Sequence, residues 1–435
     1  MNHAPATGHS RELALDLYRS AAVILVVIGH WLLSVMTYED GTFGRDNPLV
    51  LMPWTQWITW LFQVVPVFFA VAGYASAVSW ARFEAEGTDT RQEWLRRRVS
   101  RVLGPTAAYV VLVFVVMAVL MAAGISGSVL ALGGWAVAMH LWFLAVYLMV
   151  VALTPVAVAL HRRLGLAVPT LLAAGVVVVD AIGILAGQPE IRMLNYLLCW
   201  AAIYQLGIAW RDSTLRRGQL LGMATVAAVA LPMLVTWGPY PVAMIGVPGV
   251  RVENSAPPSV ALLALAAVQI GVLLAITGPV NRFLRRGPWP RIIGVANNNV
   301  MALYLWHMLP VVIVTLVGYP TGLLPQPPTG SGAWWLARLE WELILAVVTV
   351  GLLFLLWWGR AVFAAPVPGV AVPIPDAVGT AGLLLGTAAA AVALGMLAAG
   401  GFAPDGRFPV VTAALFVGGL LLLAIRPRSR IKDPT

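Results

Sequence analysis

Apolar and polar positions alternate along the chain in long blocks. Twelve apolar runs, at about 13–36, 57–80, 106–125, 135–160, 167–187, 193–210, 219–237, 259–277, 292–317, 334–358, 377–399 and 408–425, are separated by shorter polar stretches. Each is close to the ~20 residues a helix needs to cross a bilayer. The pattern predicts an all-α, polytopic transmembrane helix bundle of about twelve spans. The first run exceeds the 7–15-residue apolar core of a signal peptide and no small-residue cleavage site follows, so it is expected to remain as a span. No fixed-period repeat interrupts the series. A proline-rich stretch, AAPVPGVAVPIP at 364–375, marks the one expected internal boundary. It divides a ten-helix membrane core (1–363) from a connector, two further spans and a basic tail (364–435).

Composition narrows the class. Hydrophobic residues make up 60% of the 435 positions and charged residues 10%, against about half and a quarter in soluble domains. Neither a water-soluble globule nor a disordered chain fits those values. The single cysteine, Cys199, excludes an intrachain disulfide scaffold.

The net charge of +9 would suggest nucleic acid in a soluble protein, but its distribution points to topology. Of the 27 basic residues, 21 fall in the tails and even-numbered connections, including Arg82, Arg91 and Arg96–Arg101, while Arg45, Arg192, Arg251, Arg338 and Arg407 fall on the other side and Arg19 lies within the first span. The positive-inside rule therefore puts both termini in the cytosol, with the Gly/Pro-rich loops 238–258 and 318–332 outside. The chain is expected in the cell membrane. Tryptophans near span ends, such as Trp54, Trp57, Trp334, Trp335, Trp357 and Trp358, read as interfacial anchors.

Ionisable groups inside spans are costly and mark candidate chemistry. The first span carries Asp16, Arg19 and His30. Eleven residues turn a helix by 1100°, about 20° from whole turns, so Arg19 and His30 share a face about 16 Å apart along the axis. Asp16, three residues before Arg19, can pair with it. The plainer reading of Asp16 and Arg19 is mutual neutralisation with Arg19 snorkelling. His30 suits proton transfer, because imidazole titrates nearest neutrality. His307 is a second intramembrane candidate. His140 reads as a structural histidine, and His3, His9 and His161 carry no expected role. The stretch EWLRRRVSRVLGP, with Arg96, Arg97, Arg98 and Arg101, serves topology and anionic-lipid contact or binds the phosphates of an anionic cytosolic donor. No HExxH, CxxC pair or carboxylate cluster suggests a metal, and no GxSxG, Walker A or dinucleotide fingerprint appears in a fitting context.

Taken together, these motifs resemble the acyltransferase-3 family of integral-membrane acyltransferases. LDLYRSAAVILVVIGH matches its arginine–ten residues–histidine signature at Arg19 and His30, with the preceding aspartate at Asp16. VPVFFAVAGY (65–74) is similar to a segment ending in Ser-Gly-Tyr or Ser-Gly-Phe, with Ala72 in place of the serine. RRRVSRVLGP resembles the arginine-rich stretch before the third helix, HLWFL with Pro155 the start of another helix, and ALYLWHMLP the late Tyr–x–x–His segment at Tyr304 and His307. Tyr147 stands where many members have glutamate. The likeness covers about 11–358.

It implies transfer of an acyl group, usually acetyl, from acyl-CoA to a hydroxyl of a carbohydrate, cell-surface glycan or natural product. Acyl-CoA would be a co-substrate, with no bound cofactor and no nucleic-acid partner. His30, Arg19 and Asp16 would carry the chemistry, and Arg96, Arg97, Arg98, Arg101, Trp142, Tyr304 and His307 would bind substrates. The competing reading is a transporter or lipid-linked-glycan flippase, since intramembrane Asp/Arg/His sets also serve proton relays. The paired, broken spans of repeat-built carriers are not apparent in the sequence.

Overall fold

The computed structural model describes residues 12–87 and 90–428. His3, His9, Arg11, Arg430 and Lys432 lie outside the described residues. The chain is about 75% helical. Its elements are α1 (Leu13–Leu33), β1 (Val35–Glu39), β2 (Thr42–Asp46), α2 (Val65–Glu86), α3 (Arg91–Ala122), α4 (Gly127–Ala136), α5 (Trp142–Ala152), α6 (Thr154–Leu164), α7 (Ala167–Leu185) and α8 (Asn195–Arg211). There follow α9 (Arg217–Thr236), α10 (Val260–Ala275), α11 (Thr277–Leu284), α12 (Trp289–Trp306), α13 (Met308–Gly318), α14 (Gly332–Trp358), β3 (Val370–Val372), α15 (Asp376–Gly400), α16 (Val410–Ala424) and β4 (Ile425–Pro427).

Among the described residues, nine helical stretches are long and apolar enough to cross a membrane, and the bent pairs α10–α11 (52°) and α12–α13 (51°) raise this to eleven. The 15-residue apolar helix α16 is shorter. Each of the twelve apolar runs coincides with one of these, and the chain is an all-α polytopic membrane protein. The β1–β2 ladder, absent from the sequence reading, pairs antiparallel from Val35↔Asp46 to Glu39↔Thr42. Its turn is Asp40-Gly41, both at positive φ (47° and 79°), the geometry an Asp-Gly hairpin turn requires.

The backbone packs as two units. The first comprises the described residues through Gly29, together with Trp54–Ala75 and Arg163–Val300. Here α2 and α8 cross backbone to backbone: a Cβ on Gly73 would overlap the Tyr204 carbonyl, and one on Gly207 the Ala70 carbonyl. Close approach through small residues is how helices associate in lipid, where the hydrophobic effect does not drive them together. The loop 238–258 is tied down. Asn254 Nδ2 donates to the carbonyls of Pro241 (2.8 Å) and Ala243 (2.9 Å), and Gln63 Nε2 donates to that of Met244 (2.9 Å).

Beneath that loop lies the fully buried carboxylate of Asp180. Its Oδ1 accepts from Arg192 Nε (2.8 Å) and Asn195 Nδ2 (3.1 Å), and its Oδ2 from the Tyr240 hydroxyl (3.0 Å) and the Val260 N–H (2.8 Å). Arg192 Nη2 also donates to the Glu253 carbonyl (3.0 Å). Burial pushes the Glu253 carboxyl above its ordinary value, against the lowering pull of Arg192. Burial and the Asp180 charge raise the Tyr240 hydroxyl. Buried charge is tolerated where every lone pair finds a donor, as at Asp180.

The second unit comprises His30–Pro53, Ser76–Arg162 and the described residues from Met301 onward. Its core gathers Leu103, Tyr109, Leu141, Leu148, Phe402 and Phe416, all 0% exposed. The proline-rich connector lies along α3, where the Val367 N–H donates to the Ser100 carbonyl (3.2 Å). It then pairs through β3 with β4 in parallel register, Val370↔Ile425 to Val372↔Pro427. Helix α15 packs against α16 and α5.

Candidate functional site

Two polar clusters lie on α1, one in each unit. In the first unit, Arg19 Nη2 stands 3.5 Å from Asp16 Oδ1, as the i,i+3 spacing predicted. Arg19 Nε donates to Asn297 Oδ1 on α12 (3.1 Å), which also accepts from Ser20 Oγ (2.7 Å). Sequence reasoning did not single out Ser20 or Asn297. The readable signal was three consecutive asparagines, Asn297–Asn299, in an apolar run.

In the second unit, His30 Nδ1 lies 2.8 Å from His307 Nε2, with the ring planes 12° apart. His30 is partly exposed while His307 is fully buried. His307 occupies the break between α12 and α13. Pro310, three residues on, has no N–H to offer the Trp306 carbonyl, which accounts for the bend. The break is pinned by Trp31 Nε1, which donates to the His307 carbonyl (2.8 Å). His307 Nδ1 lies 2.8 Å from the Tyr304 carbonyl oxygen.

His140, read from sequence as structural, sits in the 3-10 turn Met139–Leu141, with its ring 4.9 Å from that of His307. Its carbonyl accepts from the Tyr304 hydroxyl (2.5 Å). Three imidazoles, from segments more than a hundred residues apart, thus meet in one apolar region.

The other expected site residues have surroundings of their own. Trp142 begins α5 half-buried, with its ring centroid 6.4 Å from that of Phe143. The arginines of α3 are distributed around the helix, as 100° per residue requires. Arg96 is buried, and its Nη1 donates to the Leu423 carbonyl at the end of α16. Arg98 Nη2 donates to Ser76 Oγ (2.7 Å). Arg97 and Arg101 are exposed one turn apart, Arg97 pairing with Glu93 at 3.3 Å. Among the described residues, no three His, Cys, Asp or Glu side chains gather as metal ligands would.

Neither the curated proteins nor the solved structures contain a match to this chain. A family model described as an acyltransferase domain, Acyl_transf_3, matches residues 12–360 and so takes in both clusters, the arginines of α3 and the break at His307. The chain therefore belongs to the acyltransferase-3 family and is a multi-pass membrane acyltransferase.

Proposed function

We propose that the protein moves an acyl group, acetyl in the simplest case, from acyl-CoA to a hydroxyl of a carbohydrate, cell-surface glycan or natural product. The observation that carries this reading is the partly exposed His30 imidazole, held at Nδ1 by His307, in a chain of this family. The acceptor oxygen attacks the thioester carbonyl while His30 takes its proton. A C–O bond forms, the C–S bond breaks, and the proton passes from His30 to the departing sulfur.

Arg19, paired with Asp16 and Asn297, is a fixed cation that attracts the anionic donor. Arg97 and Arg101, exposed one turn apart, are suited to its phosphates, Arg97 exchanging its exposed contact with Glu93 for a phosphate oxygen. Arg96 is occupied at the end of α16. Replacing both Arg97 and Arg101 with glutamine is expected to raise the KM for labelled acetyl-CoA roughly fivefold to tenfold at low salt, the gap closing as salt rises. Arg96→Gln is expected to lower the yield of folded protein instead. Unchanged KM in the double variant would leave those two arginines only a topogenic role, and a purified protein that transfers no acyl group to any hydroxyl acceptor would overturn the reaction itself.

We further propose that both termini and the arginine-rich connections face the cytosol of a cell membrane, on the strength of the 21-to-5 charge asymmetry. In a Cys199→Ala background, a membrane-impermeant maleimide is expected to label Pro248→Cys from outside intact cells and Gly218→Cys only after lysis. The reverse pattern would invert the orientation.

A further inference from the structure

The His30–His307 contact has a direction, and the direction follows from one carbonyl. A carbonyl oxygen only accepts hydrogen bonds. The 2.8 Å contact between His307 Nδ1 and the Tyr304 oxygen therefore requires the proton of a neutral His307 ring to be on Nδ1. His307 Nε2 is then a bare lone pair, and the atom 2.8 Å from it, His30 Nδ1, must carry the hydrogen between them. That leaves the lone pair of His30 on Nε2, the ring nitrogen not engaged with His307. The order is Tyr304 C=O, accepting from His307 Nδ1–H, whose Nε2 accepts from His30 Nδ1–H.

We propose that His307 is a positioning residue that locks His30 in the Nδ1–H tautomer, making Nε2 the nitrogen that receives the acceptor proton. The proposal rests on the reading of His30 as general base and specifies which atom performs it. Without an acceptor at Nδ1, a neutral imidazole exchanges between tautomers and turns freely about its χ2 axis, so the basic nitrogen is present and aimed only part of the time. Many enzymes fix the tautomer with a carboxylate. A carboxylate facing lipid-embedded helices carries a large desolvation cost, whereas a neutral imidazole orients its partner without an added charge. When Nε2 takes the acceptor proton, His30 becomes an imidazolium that keeps its Nδ1–H on the His307 lone pair. It returns to neutral when the proton moves to the departing thiolate. The break at Pro310 and the Trp31 contact keep His307 in place, and its complete burial excludes water that would compete for its lone pair.

The test uses the full chain in bilayers, labelled with ring-15N histidine, with the His30 and His307 signals assigned by their Gln variants. The expected spectrum has His30 protonated at Nδ1 and bare at Nε2, with a through-hydrogen-bond correlation from His30 Nδ1 to His307 Nε2. In parallel, His307→Leu, which removes the acceptor, is expected to reduce kcat by about 10- to 100-fold with KM for acetyl-CoA within about twofold of wild type. His307→Gln, whose amide oxygen can accept the same hydrogen, should recover most of that loss. A wild-type spectrum with the proton on His30 Nε2, or a His307→Leu protein with undiminished kcat, overturns the proposal. If His307→Leu fails to fold, the spectrum and the Gln variant decide. The tautomer is read without turnover, so a failure of the general-base assignment shows separately, as activity retained by His30→Ala.

Discussion

His30→Ala is expected to lower acyl-transfer turnover by about two to four orders of magnitude, the span removed with a general base, while leaving membrane insertion and folding intact. The structure explains why folding tolerates the loss. The substitution leaves one lone pair, on His307 Nε2, without its donor, at a cost of about 1–3 kcal/mol for a neutral group. The Ser34 hydroxyl still donates to the residue-30 carbonyl, which does not depend on the side chain. Arg19→Ala differs in kind. It removes the cation beside Asp16 and one of the two donors to Asn297, so both stability and donor affinity should fall. The comparison is transfer from labelled acetyl-CoA by wild type and both variants, each normalised to monodisperse protein. Near-wild-type turnover without His30 would remove its catalytic assignment and place the general base elsewhere in the chain.

The largest structural effect is expected at Asp180. Replacement by alanine strands Arg192 Nε, Asn195 Nδ2, the Tyr240 hydroxyl and the Val260 N–H at once. Breaking a buried ion pair by removing one partner costs about 3–5 kcal/mol. Replacing both charges with leucine should be milder than either single change, because no uncompensated charge stays behind. Unfolding in mixed micelles with increasing dodecyl sulfate orders the variants. A single Asp180→Ala protein as stable as wild type would show that the network contributes nothing. As the same contacts tie down the loop 238–258, protease sensitivity of that loop should rise in parallel.

The spans were legible because lipid demands apolar runs of a fixed length, and a single chain displays those directly. The bend at His307 is legible too, through Pro310 three residues on. The spread of Arg96, Arg97 and Arg98 around α3 follows from helix arithmetic alone. Asp180 is equally visible as the lone carboxylate in its apolar run, with Arg192 just beyond the end. What a single sequence does not contain is which distant residues meet. His30 and His307 are 277 positions apart, and no local pattern links them. Asn297 belongs with Arg19 for the same unreadable reason. The break at His140 carries no proline or glycine at its centre and follows from packing against Tyr304 and Tyr109.

The glycine crossing of α2 and α8 has a consequence for traffic. With Gly73 against Tyr204 and Gly207 against Ala70, the two backbones touch at the crossing, while elsewhere along the pair Phe69 stacks on Trp200 and Tyr74 lies against Trp210. Side chains swing on fast timescales and open transient gaps, whereas a seam of main chain against main chain has no rotamers to swing. At that point a lipid tail, or an acceptor carried on one, cannot pass between the two helices. Away from the crossing the same two helices meet through the rings of Phe69, Trp200, Tyr74 and Trp210, which can move.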